Sequence, residues 1–517
     1  MFTYNILITY NKLSGIVKLN HCSKTRIHAM FEVELKFQIA KDQQDVLLKT
    51  LQRKNPSTLN LNAKYFDTDT FILSEKQISL RQRLENTTWV QTLKLPTAQQ
   101  LQRTEFENEL GDIEPTELNL DFYQTQKHFD KKALKLLKNI QMDLHIQFET
   151  QIKRSSTLFN FQKSQIEVSV DVGTIQHQDQ TLEIFEIEFE LKQGSIEDFI
   201  SFILPRVKRY GLWLDTRSKA QCGFLLAQNN PDNPIKLQSP LSLNANKSPE
   251  QALKDIMNNG LQHLLPNSTA IASGNFCSEH VHQARVAIRR LRSALKTFSK
   301  WSNHIDPTWE EQLAQLFRQL GNRRDLDVIE EELPPQLKAA GAPDFELAQN
   351  KCENKTNLSA VFQSMQFNHL VLSLIQFINE NTHVKGKESL KKKFEKEIKK
   401  LHQQITEDAQ HYLDLNIDER HRTRKRLKRL RYSIEFVASI YDTDKVKKYL
   451  KALKPAQESL GQYNDLIVAE DFFKNMLEQE PKAWFAIGWL AARQQLLLEQ
   501  NSQDLSHFSA AQPFWSV

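Results

Sequence analysis

Two patterns of apolar and polar residues divide this chain. From Met30 to about residue 228, short runs alternate apolar and polar positions with a period of two. That pattern predicts half-buried strands at Phe31–Phe37, Ser79–Leu84, Trp89–Leu95, Glu105–Leu110, Ile166–Val172 and Leu182–Leu191. Helical stretches intervene at Asp42–Lys54, Lys131–Asn139 and Ile196–Tyr210. Residues 229–248, rich in Asn, Pro and Ser, read as a linker. Beyond about residue 249, helix formers dominate, with helices expected at Gln251–Leu265, Ser278–Trp301, Glu310–Leu320, Leu390–Tyr412, Asp418–Tyr441, Lys445–Leu460 and Trp484–Glu499. The expected organisation is a strand-rich domain over 30–228, a linker over 229–248 and an all-helical domain over 249–510.

Side chains at i and i+2 of a strand point the same way. Glu32, Glu34 and Lys36 share one face of the first strand, opposite Val33, Leu35 and Phe37. Arg81 and Arg83 share a face, as do Glu105 and Glu107, Glu167 and Asp171, and Glu186, Glu188 and Glu190. One half-exposed strand with a charged face is ordinary. Here the charge recurs strand after strand and is sorted by sign, whereas solvated faces usually mix signs. If the strands close on themselves, these faces line a polar lumen. Crowded carboxylates then need cations, and paired Glu oxygens suit Mg²⁺ or Mn²⁺. The Arg and Lys groups suit phosphate oxygens. The two sets together describe a site for a metal-bound, highly anionic ligand.

Composition narrows this further. The 517 residues carry 68 basic and 63 acidic side chains, so local clusters matter more than the net charge of +5. Cys22, Cys222, Cys277 and Cys352 form no CxxC pair, which excludes a zinc ribbon or disulfide framework and fits a reducing, cytoplasmic setting. No apolar run is long enough to span a membrane. With only 13 Gly and no GxxxxGK[ST], a P-loop is excluded. Residues 1–29 lack a signal-peptide pattern and read as an upstream extension, with Met30 the expected start.

The helical half repeats itself. His282, Arg285, Arg289, Arg290, Leu291 and Arg292 recur 139 residues on as His421, Arg424, Lys428, Arg429, Leu430 and Arg431. Leu320-Gly321 and Asp325-Leu326 recur 140 residues on as Leu460-Gly461 and Asp465-Leu466. Two motifs repeated in order predict a duplication. Residues 420–431 hold eight Lys or Arg and no acid. Arg285, Arg289, Arg292 and Lys296 share one helix face, as do His421, Lys425, Lys428 and Tyr432. With no acid nearby in sequence, these like charges call for a polyanionic partner. Few aromatic residues interleave with them, so nucleic acid is not the expected one.

The ordered set Glu32-x-Glu34-x-Lys36, Tyr65-Phe66-Asp67-Thr68, Leu80-Arg81-Gln82-Arg83, Thr92-Leu93-Lys94, Arg103-Thr104-Glu105, Phe148-x-Thr150 with Arg154, Val170-Asp171-x-Gly173, Glu186–Glu190 and Ser218-Lys219 resembles the CYTH superfamily of triphosphate tunnel enzymes. The resemblance implies an eight-stranded antiparallel β tunnel. It implies metal ligands at Glu32 and Glu34 with two of Glu186, Glu188 and Glu190, the pair being left open. It further implies triphosphate contacts at Lys36, Arg81, Arg83, Lys94, Arg154 and Lys219, with Glu105, Glu107, Glu167 and Asp171 as acidic positions for a second metal or a water.

The segments at 281–298, 320–328, 421–436 and 460–466 resemble the CHAD domain. That resemblance implies two pseudo-twofold related four-helix bundles and polyphosphate binding. The residues implied are His282, Arg285, Arg289, Arg292, His421, Arg424, Lys425, Lys428 and Arg431. The pairing points to an inorganic triphosphatase. Class IV adenylyl cyclase and thiamine triphosphatase share the tunnel motifs, and a polyphosphate-binding protein with little catalysis is a further alternative.

Overall fold

The computed structural model describes residues 33–76, 78–96, 103–126, 129–230, 233–321, 329, 333–343, 358–380 and 389–515. Contacts group the chain into two compact units. One comprises residues 1–236, 265–280 and 359–380, and the other 237–264, 281–358 and 381–517.

The first unit is built on a nine-stranded sheet in the order β5-β4-β3-β2-β6-β7-β8-β1-β9, antiparallel at every pairing. The strands are β1 (Val33–Gln38), β2 (Ser57–Asp67), β3 (Ser79–Glu85), β4 (Thr88–Pro96), β5 (Arg103–Gly111), β6 (His145–Phe161), β7 (Ser164–His177), β8 (Gln180–Gln193) and the two-residue β9 (Trp213–Leu214). Eight long strands thus match the expected tunnel, and β9 adds a short edge beside β1.

Two long strands were not among those expected. In β2 the alternation of Leu59, Leu61, Ala63 and Tyr65 is carried by a segment rich in Asn, Lys and Ala, which strands disfavour. In β6 the inward residues change from Phe148, Thr150 and Ile152 to Arg154 and Ser156, so no single two-residue pattern covers its 17 residues.

Helices cover the apolar face. Among the helices of this unit are α1 (Lys41–Gln52), α2 (Ile72–Glu75), α3 (Lys131–Ile140), α4 (Ile196–Tyr210) and α5 (Lys219–Ala227). Leu80, Leu93, Leu95 and Phe106 form one core with Ala133, Leu137 and Ile140 of α3. Phe202 of α4 meets Phe159, Phe161 and Phe189 with ring centroids 5.4–6.3 Å apart. Asp67 is buried and accepts the backbone N–H groups of Thr68, Leu73 and Ser74 at 2.8 Å, so this member of the Tyr-Phe-Asp-Thr motif shapes the turn into α2.

The opposite face is occupied in part by α5. Ser218 caps it, accepting from Gln221 N at 3.1 Å. Phe224 packs with Leu61, Tyr65, Phe148 and Ile152. Gly223 lies so close to the Phe148 ring that a Cβ there would run into it. The capped start of α5 therefore delivers Lys219 onto the charged part of the same face.

The second unit is helical. Its helices include most of α6 (Pro249–Ala272), most of α7 (Ser278–Phe298) and α8 (Trp309–Gln319), then Leu390–Gln410, Ile417–Val437, Thr443–Met476 and Ala483–Ser509. Phe298 of α7 meets Phe394 and Phe436 in one aromatic core. The helix expected to stop at Leu460 instead runs through Pro455 and Gly461 to Met476. A helical Gly costs only about 1 kcal/mol relative to Ala. The buried stripe of Tyr463, Ala469, Phe473 and Met476 continues past it and outweighs that cost. No described helix is long and apolar enough to cross a membrane.

Candidate functional site

Strand register puts the candidate tunnel residues on one face of the sheet. Directly paired residues point to the same side. Glu105 pairs with Lys94 and Glu107 with Thr92, which pairs with Arg81. Arg81 faces Tyr65 and Arg83 faces Ala63. Through Tyr65, Phe148 and the even-numbered residues of β6, the same side continues to Arg154, then to Asp171, Glu186 and Gln38. The next rungs carry Ser169, Glu188 and Lys36, then Glu167, Glu190 and Glu34. Lys219 joins from α5. Glu32 lies outside the described residues. A merely solvated face would leave these groups open to water, yet Asp171 is 0% and Glu186 1% exposed. The part of the charged face around Asp171 and Glu186 is therefore enclosed and lines a lumen.

Its acidic centre is a network of buried pairs. Arg154 grips Asp171 with two hydrogen bonds, Nε to Oδ1 at 2.7 Å and Nη2 to Oδ2 at 2.6 Å, and also pairs with Glu188. Lys219 lies 2.6 Å from Asp171 and 3.0 Å from Glu188, and pairs with Glu186 as well. Lys36 lies 2.9 Å from Glu186. Burial alone would lower the Lys219 ammonium, but Glu186, Glu188 and Asp171 raise it well above its ordinary value. Asp171, Glu186 and Glu188 thus face three cations, Lys36, Arg154 and Lys219.

The next rung is less balanced. Glu190 and Glu167 share Lys192, at 2.5 and 3.1 Å. Glu34 sits opposite Glu190, enclosed by the surrounding strands although solvent still reaches it. Its carboxyl is pushed up to about 8, first by that enclosure and then by the charge of Glu188.

The basic centre lies on β3, β4 and β5. Lys94 is 3.1 Å and Arg81 3.9 Å from Glu105. Burial would raise the Glu105 carboxyl, but Lys94 and Arg81 hold it below its ordinary value. Arg83 donates to Glu85 from Nε at 2.7 Å. Glu107 forms no ion pair among the described residues. Tyr65 was not singled out as a site residue. Burial would raise its phenol, but Arg81, beside it and hydrogen-bonded to it, lowers it.

Asp215 and Arg217 were also missed. Asp215 is buried, accepts from Arg217 Nε at 3.0 Å and Nη2 at 2.8 Å, and accepts from Gln38 Nε2 at 3.0 Å. Lys36 Nζ donates to the Arg217 carbonyl. The signal available in sequence was only proximity, since Asp215-x-Arg217 directly precedes Ser218-Lys219.

Two observations bear on whether a divalent metal fits. Asp171, Glu186 and Glu188 offer oxygens within 4.8 Å of one another. That trio is already matched by three ammonium or guanidinium groups. Glu34, Glu188 and Glu190 are hard-oxygen donors on adjacent rungs, and Glu34 forms no ion pair among the described residues. The donor chemistry fits a hard divalent cation there.

In the second unit, the candidate residues lie on α7 and on Ile417–Val437. The expectation that their charges lack counterions needs correction. Arg292 and Lys296 pair with Glu310 at 2.9 and 3.2 Å, Arg431 with Glu435 at 2.7 Å, and Arg424 approaches Asp465 at 3.7 Å. These acids come from other helices or the next turn, which a run-by-run reading of charge does not register. Arg285 and Arg289 stack over Phe317, with guanidinium carbons 4.6 and 5.3 Å from the ring centroid. His282 Nδ1 is buried without a hydrogen-bond partner among the described residues. His421 Nδ1 lies 2.9 Å from Asn464 Oδ1. Lys425 and Lys428 form no ion pair among the described residues. Burial, then Arg424 and Arg289, push the Lys428 ammonium down to about 7.

The CYTH domain family matches residues 30–203 and the CHAD domain family residues 255–474. An inorganic triphosphatase of Haemophilus influenzae is 38% identical over 79 residues, which cover 15% of this chain and 22% of that protein. The chain's match thus spans about a fifth of that curated relative's length. The crystal structure of the CHAD domain from the plant Ricinus communis is 30% identical, covering 53% of this chain and 96% of that one, with a TM-score of 0.46. A putative adenylyl cyclase from Hippeastrum, described as revealing a dominant triphosphatase activity, is 15% identical, covering 38% of this chain and 95% of that one, with a TM-score of 0.27. The chain belongs to the CYTH–CHAD proteins, with a CYTH domain followed by a CHAD domain.

Proposed function

We propose that the CYTH lumen hydrolyses inorganic triphosphate to pyrophosphate and orthophosphate. The observation that carries this reading is the single enclosed face on which an acidic centre and a basic centre meet. A triphosphate needs several cationic contacts along its length, and Arg81, Arg83 and Lys94 supply one group while Lys36, Arg154 and Lys219 supply another. Arg154 is held by Asp171, and Lys36 and Lys219 by Glu186, so Asp171 and Glu186 act here by fixing cations. Glu34, Glu188 and Glu190, with Glu32, would hold Mg²⁺ or Mn²⁺. Such an ion, when bound, offsets phosphate charge and acidifies a coordinated water. Glu107, with no cation fixed to it, is suited to orient the attacking water. Protonated or hydrogen-bonded cationic groups stabilise charge growing on the departing pyrophosphate.

The test is product analysis. The protein is given inorganic triphosphate, ATP or thiamine triphosphate with Mg²⁺ or Mn²⁺. Equal amounts of pyrophosphate and orthophosphate, released far faster from inorganic triphosphate than from the others, support the reading. Cyclic AMP from ATP, or a preference for thiamine triphosphate, would replace it.

The CHAD helices support a second role, binding of inorganic polyphosphate, because Arg289, Arg424, Lys425 and Lys428 form a concentrated cationic cluster beside the buried Arg285. Lys425→Glu with Lys428→Glu should weaken polyphosphate binding and spare triphosphate hydrolysis. Competition by nucleic acid at equal phosphate concentration would redirect the assignment.

A further inference from the structure

A cavity of about 230 Å³ opens beside the start of Ile417–Val437, against the middle of Thr443–Met476. Its lining is mixed in a specific way. Ile417, Leu460, Tyr463 and Ile467 make an apolar and aromatic side. Asp418, His421, Arg424 and Asn464 make a polar side. The wall is held in place by Arg420, whose guanidinium donates to the Tyr463 hydroxyl at 3.2 Å and to the Leu413 carbonyl at 2.8 Å.

The polar side is not built for a polyanion. His421 Nδ1 is 2.9 Å from Asn464 Oδ1, so that nitrogen carries the proton and donates. Burial, then Lys425 and Arg424, hold the imidazole below its ordinary value, which leaves Nε2 a neutral acceptor. Asp418, exposed on the first turn of its helix, adds a carboxylate. An acceptor and an anion repel phosphate chains and attract N–H or O–H donors. Arg424, which approaches Asp465 at 3.7 Å, is the second cationic side chain of the lining and stands one helical turn from Lys428.

The duplication sharpens the contrast. The positions of the first repeat equivalent to Ile417, Tyr463, Asn464 and Ile467 are Ser278, Arg323, Arg324 and Asp327. At these places the first repeat carries charged or polar residues where the second carries apolar, aromatic and neutral ones. The second repeat thus lacks, at this place, the two arginines that would favour a polyanion.

We propose that this cavity binds a nucleotide, of the nucleoside mono- or diphosphate class. The base packs against Ile417 and Ile467, with the buried Tyr463 as the floor beneath them. Donors of the base or ribose meet Asp418 and His421 Nε2. The phosphates lie on Arg424 and reach toward Lys428. The inference concerns the CHAD unit alone and stands whether or not the tunnel hydrolyses triphosphate.

Isothermal titration of the full-length protein in EDTA, with ADP, AMP, adenosine and pyrophosphate, tests it. ADP gains apolar contact with the isoleucines that pyrophosphate lacks, so it should bind about tenfold or more tighter than pyrophosphate. Asp418→Asn alters an exposed side chain and leaves the fold intact. It should weaken ADP binding about fivefold or more while leaving pyrophosphate binding unchanged or tighter. Ile467→Asp, which restores the first repeat's residue, should weaken ADP as well. Pyrophosphate binding as tightly as ADP, or ADP affinity unchanged by both substitutions (as when ADP occupies only the tunnel), would overturn the proposal.

Discussion

Removing one ammonium from the lumen probes its charge balance directly. Lys219 reaches Asp171, Glu186 and Glu188 at once, and the first two are almost fully buried. Lys219→Met keeps the apolar stem and deletes the charge. Three carboxylates would then face only Lys36 and Arg154. Breaking a buried ion pair by removing one partner costs about 3–5 kcal/mol, because the remaining charge stays buried without compensation. In a unit of this size, each kcal/mol lowers Tm by about 2–4 °C, so the transition of the CYTH unit should fall by about 6–20 °C. The assay is thermal unfolding followed by circular dichroism, first in EDTA and then with Mn²⁺. A divalent cation can take the place of the missing ammonium, so Mn²⁺ should recover several degrees in the variant, more than it adds to the unmodified protein. A variant that melts within about 1 °C of the unmodified protein in EDTA would refute the reasoning, since the carboxylates would then not depend on Lys219.

Other consequences follow from particular contacts. Lys428 titrates near 7 in the free protein, and a bound polyanion would raise it. Binding then takes up a proton, so polyphosphate affinity should fall as pH rises from about 7 toward 9, by at most about tenfold per unit for one proton. Equal dissociation constants at pH 6.5 and 8.5 would count against it, and Lys428→Arg should flatten the dependence. Gly223→Ala forces a methyl group into the Phe148 ring. Overpacking of this kind costs about 1–3 kcal/mol, and because α5 carries Lys219, both Tm and triphosphate turnover should drop together. A fall in neither would separate α5 from the site. Arg81→Gln should lower kcat/KM for inorganic triphosphate by about 10–100-fold through one lost charge-assisted contact, read by steady-state phosphate release, and an unchanged value would remove Arg81 from the substrate contacts.

Much of the lumen was legible in the sequence because a strand fixes which side chains share a face. Glu34 and Lys36, Arg81 and Arg83, Glu105 and Glu107, and Glu186 through Glu190 could be paired from spacing alone. What spacing could not supply was the register between strands. Only pairing reveals that Glu34 lies opposite Glu190, while Asp171 lies opposite both Glu186 and Arg154. That distinguishes the rung of Glu34, Glu167 and Glu190, which meets Lys192, from the rungs of Asp171, Glu186 and Glu188, which meet Lys36, Arg154 and Lys219. Asp215 escaped notice, and Tyr65 was given no role beyond its motif, because their importance lies in contacts with Arg217 and Arg81, which sequence does not display. In the helical half, the basic stripes were visible but their counterions were not. Glu310 and Asp465 lie far along the chain from the cations they meet and are brought near only by helix packing.

The central claim is that metal-loaded carboxylates in the lumen hydrolyse inorganic triphosphate. Its most direct test is orthophosphate release from inorganic triphosphate by the unmodified protein and by Glu34→Gln, each with Mg²⁺ or Mn²⁺ and with EDTA. Fast release by the unmodified protein that EDTA stops, and that Glu34→Gln nearly abolishes while polyphosphate binding persists, is the predicted result. No release under any metal condition, or full activity in Glu34→Gln, would contradict the account.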